Sequence, residues 1–214
     1  MEENLLIIIG RISFHKNSCS VRILFDIEKD DQLITVYLNQ IVRNIQLNSK
    51  KSHIEIFDDL KLDFNYEGIA LFEDKKYSFQ FNTTNNPNIA YVSCCGYYSI
   101  GKNGNIDTDD KTLKKLADEK FDLMIHMGDQ IYADHIKAIG CLNPENEYRQ
   151  LYRKVFGSNI MQKILRKGSH IMICDDHEFY NAVNNLNKND PYCIAARNMY
   201  IEYQESLWGN EYSK

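Results

Sequence analysis

The sequence predicts an α/β chain in which an N-terminal antiparallel β-sandwich precedes a unit of parallel strands and helices. Up to about residue 87 apolar residues recur in steps of two; beyond it, short apolar runs alternate with segments of helical spacing. A third observation locates the chemistry: acids and other donor side chains gather just past the apolar runs of the second half.

The chain has 214 residues, 43% hydrophobic and 26% charged, which describes a folded protein and excludes a disordered tail or a fibre. Its net charge of −5 leaves neither half basic, so a phosphate-backbone binding surface for nucleic acid is not expected. The early apolar run Leu5-Leu6-Ile7-Ile8-Ile9 is too short to span a bilayer, and Glu2 and Glu3 precede it where a signal peptide needs positive charge. A buried strand explains it. The cysteines at 19, 94, 95, 141, 174 and 193 form no CxxC pair. Without a secretion signal they read as reduced thiols in an intracellular, cytoplasmic protein with no membrane partner.

In the first half Val21, Ile23, Phe25 and Ile27 share one face, with Arg22, Asp26 and Glu28 on the other. Leu60, Leu62 and Phe64 alternate likewise, as do Tyr77, Phe79 and Phe81. Polar breaks at 29–31, 48–51 and 74–76 separate the runs, as in a small sandwich of the immunoglobulin or fibronectin kind over 1–87. The polar stretch 82–88, broken by Pro87, is the expected linker to a second domain over 88–214. There Ile89–Val92, Leu123–Met127 and Ile171–Ile173 read as buried strands. Leu113, Leu116 and Ala117 have helical spacing behind an N-cap at Thr108. Tyr148, Leu151, Tyr152, Val155 and Phe156 have it again before Gly157, and an amphipathic stretch runs from Cys193 to Leu207. Strands alternating with helices imply a parallel sheet.

In such a sheet the site lies beyond the carboxyl ends of the strands. The first strand leads into Ser93-Cys94-Cys95, the second into Gly128-Asp129-Gln130-Ile131-Tyr132, the third into Asp175-Asp176-His177-Glu178. Singly these have ordinary explanations: Gly-Asp is common in turns, and free cysteines usually pack as small apolar residues. Together they aim thiolate, phenol, carboxylate and imidazole at one rim. Clustered carboxylates repel unless a cation neutralises them, so the pattern points to a metal centre.

Ser93-Cys94, Met127-Gly128-Asp129-Gln130-Ile131-Tyr132-Ala133-Asp134, and Asp175-Asp176-His177-Glu178 with Asn181 closely resemble the alkaline phosphatase D (PhoD-like) family of binuclear metallophosphoesterases, over residues 89–208. The resemblance implies hydrolysis of phosphate mono- or diesters at two metal ions, which make hydroxide available near neutral pH. It gives Asp129 as the bridging carboxylate, and Cys94 and Tyr132 as ligands of iron. Asn181 and the pair Asp175-Asp176, between which the choice stays open, would serve calcium or another divalent cation. His177 would sit beside the phosphate as the catalytic group. His135, flanking the Gly-Asp motif, is a substrate-contact candidate.

Two departures matter. Cys174 stands before Asp-Asp-His-Glu where the family often has Trp. After His177 the sequence holds no further histidine, whereas the family's later ligands include a Gly-His-x-His-like or Asp-x-His element. The expectation is therefore a truncated metallophosphoesterase-like α/β domain. One face of its half-sheet stays open, for a second chain in an active assembly or for the partner of a non-catalytic remnant.

Overall fold

The computed structural model describes residues 5–93, 111–138, 140–179 and 189–209. Seven antiparallel strands come first: β1 (Leu6–Phe14), β2 (Cys19–Asp26), β3 (Gln32–Leu38), β4 (Ile41–Leu47), β5 (His53–Leu60), β6 (Asn65–Phe72) and β7 (Lys75–Asn82). They form two sheets, in the orders β1-β2-β5 and β4-β3-β6-β7. Ile7, Ile9, Val21, Ile23 and Phe25 of the first sheet pack against Ile34, Val36, Ala70, Tyr77 and Phe79 of the second, which is the core of a sandwich.

The parallel sheet follows, in the order β10-β9-β8, from β8 (Ile89–Val92), β9 (Leu123–Met127) and β10 (Ser169–Ile173). Between and after these strands lie α1 (Lys111–Asp118), α2 (Asp134–Ala138), α3 (Pro144–Phe156), α4 (Asn159–Leu165) and α5 (Pro191–Tyr203), and a 3-10 turn at Glu205–Leu207 follows α5. Asn143 caps α3, Ser158 caps α4 and Asp190 caps α5, each accepting a backbone N–H from the first turn, and Pro opens α3 and α5. Thr108 lies outside the described residues. Among the described residues no helix is long and apolar enough to cross a membrane.

The structure corrects two readings of the first half. Asp26 does not face solvent: the second face of the β1-β2-β5 sheet is also covered. Leu6, Ile8 and Leu24 point into the core built by Met124, Met172 and the helices, and Asp26 is buried beside Arg153 of α3. The unbroken run Leu5–Ile9 is what a strand covered on both sides requires. The alternation of Leu60, Leu62 and Phe64 is not a strand either, because β5 ends at Leu60 and Asp59 and Asp63 take φ of 55° and 49°. Those left-handed residues turn the chain towards β6.

The sandwich and the α/β section are joined along this shared sheet. The Gln162 amide of α4 serves the free edge of β1: its Oε1 accepts from Ile7 N at 3.1 Å and its Nε2 donates to Ile7 O at 3.3 Å. Gly10 lets the 3-10 turn approach, since a Cβ there would lie 2.8 Å from Leu207 O.

Candidate metal centre

The site is assembled by two loops, one after β9 and one after β10, and those strands lie side by side in parallel register with Met127 opposite Ile173. Gly128 at φ 92° and Asp129 at φ 58° make the first loop leave its strand in a left-handed turn. Only glycine fits at 128, because a Cβ there would lie 2.5 Å from the Cβ of Asp175 on the second loop. The loops therefore touch backbone to side chain.

Three further contacts fix them. The Glu178 carboxylate, fully buried, accepts N–H from Asp129 at 3.0 Å, Gln130 at 2.6 Å and Asp175 at 2.8 Å. Ala133 N donates to His177 O at 2.9 Å, and the Tyr148 hydroxyl of α3 donates to Phe179 O at 2.6 Å. Burial raises the pKa of Glu178, an effect its three backbone donors partly offset.

This frame brings Asp129, Asp176 and His177 together, with one ligand atom from each lying within 4.8 Å of the others. Asp129 is buried, and its Oδ1 has no hydrogen-bond partner. An orphaned buried carboxylate oxygen beside a second acid and an imidazole is a donor set that a cation satisfies. His177 is itself held in place. Its Nδ1 donates to the Asp134 carboxylate at 2.9 and 3.0 Å, and its ring lies 4.3 Å from the Tyr132 ring at 30°. Partial burial works against the charged imidazole, but Asp134, with Asp129 and Asp176 behind it, outweighs this and raises the pKa of His177.

Of the residues expected from sequence, Asp129, Asp176 and His177 converge. Asp175 is exposed and is not one of these three; its Oδ1 accepts the backbone N–H of Asp176 at 2.9 Å. Tyr132 stacks on His177. Cys94 and Asn181, and the side chain of His135, lie outside what the structure describes. Cys174 is half-buried against the apolar core. Sequence reading assigned no role to Glu178 or Asp134, although both sit inside the quoted motifs. Glu178 works on backbone N–H groups, which no side-chain pattern displays.

Residues 89–204, more than half of the chain, match the family of PhoD-like phosphatases. The chain belongs to that family. A solved structure of PhoD overlays with a TM-score of 0.69 at 15% identity, covering 93% of this chain and 45% of that one. The purple acid phosphatase PPD1 from yellow lupin (Lupinus luteus) seeds overlays with a TM-score of 0.56 at 13% identity, covering 91% of this chain and 40% of that one. At such identities the likeness is one of fold, a metallophosphoesterase-like α/β arrangement behind antiparallel sheets. The PhoD-like chain thus spans less than half the length of either solved structure. No curated protein matches it.

Proposed function

We propose that this PhoD-like chain contributes the metal-binding and phosphate-binding rim of a phosphoester hydrolase. The observation that carries the reading is the convergence of Asp129, Asp176 and His177 at the ends of two adjacent parallel strands, with an Asp129 oxygen left unpartnered. Asp129 and Asp176 would hold the metal. The family resemblance adds Cys94 and Tyr132 toward iron, and Asn181 toward calcium or another divalent ion. Bound cations would polarise the phosphoryl oxygens and make hydroxide available near neutral pH.

The chain's own side chains then do the following. Asp134 occupies Nδ1 of His177, so Nε2 is the ring atom available to the centre, where it holds a proton for the departing oxygen or steadies the phosphate charge. Tyr132 limits rotation of that ring from its face. Glu178 keeps both loops at fixed separation.

The test is hydrolysis of a chromogenic phosphodiester by the purified chain supplied with iron and calcium, beside Asp129→Ala. Activity that vanishes in the variant supports the reading. Equal turnover by both proteins places the chemistry elsewhere.

One observation favours a second reading, in which the chain acts with, or merely binds, a partner polypeptide. The outer face of the parallel sheet presents Tyr91 at 63%, Ile89 and Ile173 at 44% and Met127 at 42% exposure, an apolar strip without a charge in its rows. Sedimentation separates the two: a monomer at high concentration argues against a docking face, and a dimer or co-purifying chain supports one.

A further inference from the structure

The motif after β10 ends in an acid that reaches neither solvent nor the donor cluster. Glu178 is fully buried, yet its carboxylate meets three backbone N–H groups from two loops that are 45 or more positions apart in the chain. A carboxylate offers about four lone-pair positions, enough for three donors at once, whereas a neutral amide oxygen offers two. The donors are also informative. Asp129 is itself in the cluster, Gln130 follows it, and Asp175 precedes Asp176, so Glu178 grips the main chain at or beside each clustered acid. Asp129 sits in left-handed backbone at φ 58°, a conformation that does not hold itself, and the Glu178 contact to its N–H closes that turn.

We infer that Glu178 is a positioning residue of the centre: its carboxylate sets the separation of the Asp129 and Asp176 side chains by clamping the backbones that carry them. It does not touch the metal or the phosphoester. The inference deepens the metal reading above and rests on it for the identity of the cluster. Orienting groups behind a ligand set commonly change metal affinity by 10- to 100-fold when removed.

The experiment uses the full chain and Co²⁺ alone as probe, comparing wild type, Glu178→Gln and Asp129→Ala at a temperature where all are folded by circular dichroism. The expected result is a d–d absorption spectrum that Glu178→Gln alters, with affinity lowered about 10- to 100-fold. A variant that only loosened the fold would melt earlier but keep the wild-type spectrum and affinity, and that outcome overturns the inference. Absence of Co²⁺ binding by wild type, or equal binding by Asp129→Ala, instead overturns the metal reading. Should Glu178→Gln fail to fold, amide exchange on the wild type decides. The N–H groups of Asp129, Gln130 and Asp175 are expected to be protected as one set, and rapid exchange at any of them breaks the clamp.

Discussion

Arg153 of α3 and Asp26 at the end of β2 meet in a two-point ion pair, Nε to Oδ2 and Nη2 to Oδ1 both at 2.8 Å, across 127 positions of sequence. The same carboxylate accepts from the Tyr203 hydroxyl at 2.6 Å, and Arg153 also donates to Ser49 O at 2.6 Å. Asp26, Arg153 and Tyr203 are all buried, and the knot couples the sandwich sheet to two helices of the α/β section. Arg149 pairs with Glu202 nearby, and Glu202 accepts from Ser52 N at 2.7 Å, repeating the coupling.

Removing one partner of such a pair strands the other charge in the interior. Arg153→Met is expected to cost about 3–5 kcal/mol, and Asp26→Asn with Arg153→Met to recover much of it, because no uncompensated charge remains. Urea unfolding of the three proteins measures this. The same melts should show one transition by tyrosine fluorescence and by circular dichroism, since the two sections share a sheet. Separate transitions would mean that the knot does not couple them.

Much of the fold was legible in periodicity, and its failures have physical causes. Tyr77, Phe79 and Phe81 alternate in sequence and lie inward on β7. Asp26 misled because one acid on an apolar strand reads as a solvent mark until Arg153, far away in sequence, is known to cover it. Leu60, Leu62 and Phe64 misled because period two also arises by chance across a turn, and only the left-handed φ of Asp59 and Asp63 reveals the break. At the centre, strand-end placement put Asp129, Asp176 and His177 among a wider set of candidates, and the structure brings these three together. Placement was not enough to separate Asp175 from Asp176, because adjacent acids differ only in where the turn aims them.

The unpartnered Oδ1 of Asp129 has a consequence for metal-free protein. A buried carboxylate oxygen with no hydrogen-bond donor, next to a second acid, is destabilising, so Asp129→Asn should raise stability in chelator by on the order of 1 kcal/mol. In Mn²⁺ or Co²⁺ the order should reverse, because wild type gains stabilisation by binding and the variant does not. Thermal melts in both conditions give the sign directly. A variant less stable than wild type in chelator would show that the carboxylate is already satisfied.

Gly128 and Gly140 form a controlled pair, both at positive φ, 92° and 62°. An alanine Cβ at 140 meets nothing within 4 Å, whereas at 128 it would lie 2.5 Å from the Asp175 Cβ. Gly140→Ala should therefore cost only backbone strain, about 1–2 kcal/mol. Gly128→Ala should cost more and also weaken Mn²⁺ or Co²⁺ binding, because the second loop must move away. Equal stability losses with unchanged metal titrations would show that the loops do not constrain each other.

Two histidines in the α/β core tie stability to pH. His126 Nε2 donates to His170 Nδ1 at 2.9 Å, and His170 Nε2 donates to Lys167 O at 3.2 Å, which leaves His126 Nδ1 buried and unpartnered. Burial drives both below the ordinary histidine range, His126 far below and His170 to about 4 from 6.5. At these two sites the native state thus binds fewer protons than the unfolded chain, so their contribution to stability rises with pH across this window. It is complete above about pH 6.5 and lost as pH falls toward 4, with His170 alone accounting for about 3 kcal/mol. Urea midpoints at pH 7, 6 and 5 should fall in order, and replacing both histidines with leucine should flatten the slope. A double variant whose midpoints keep the pH slope of the native sequence would mean that the pair does not set the dependence.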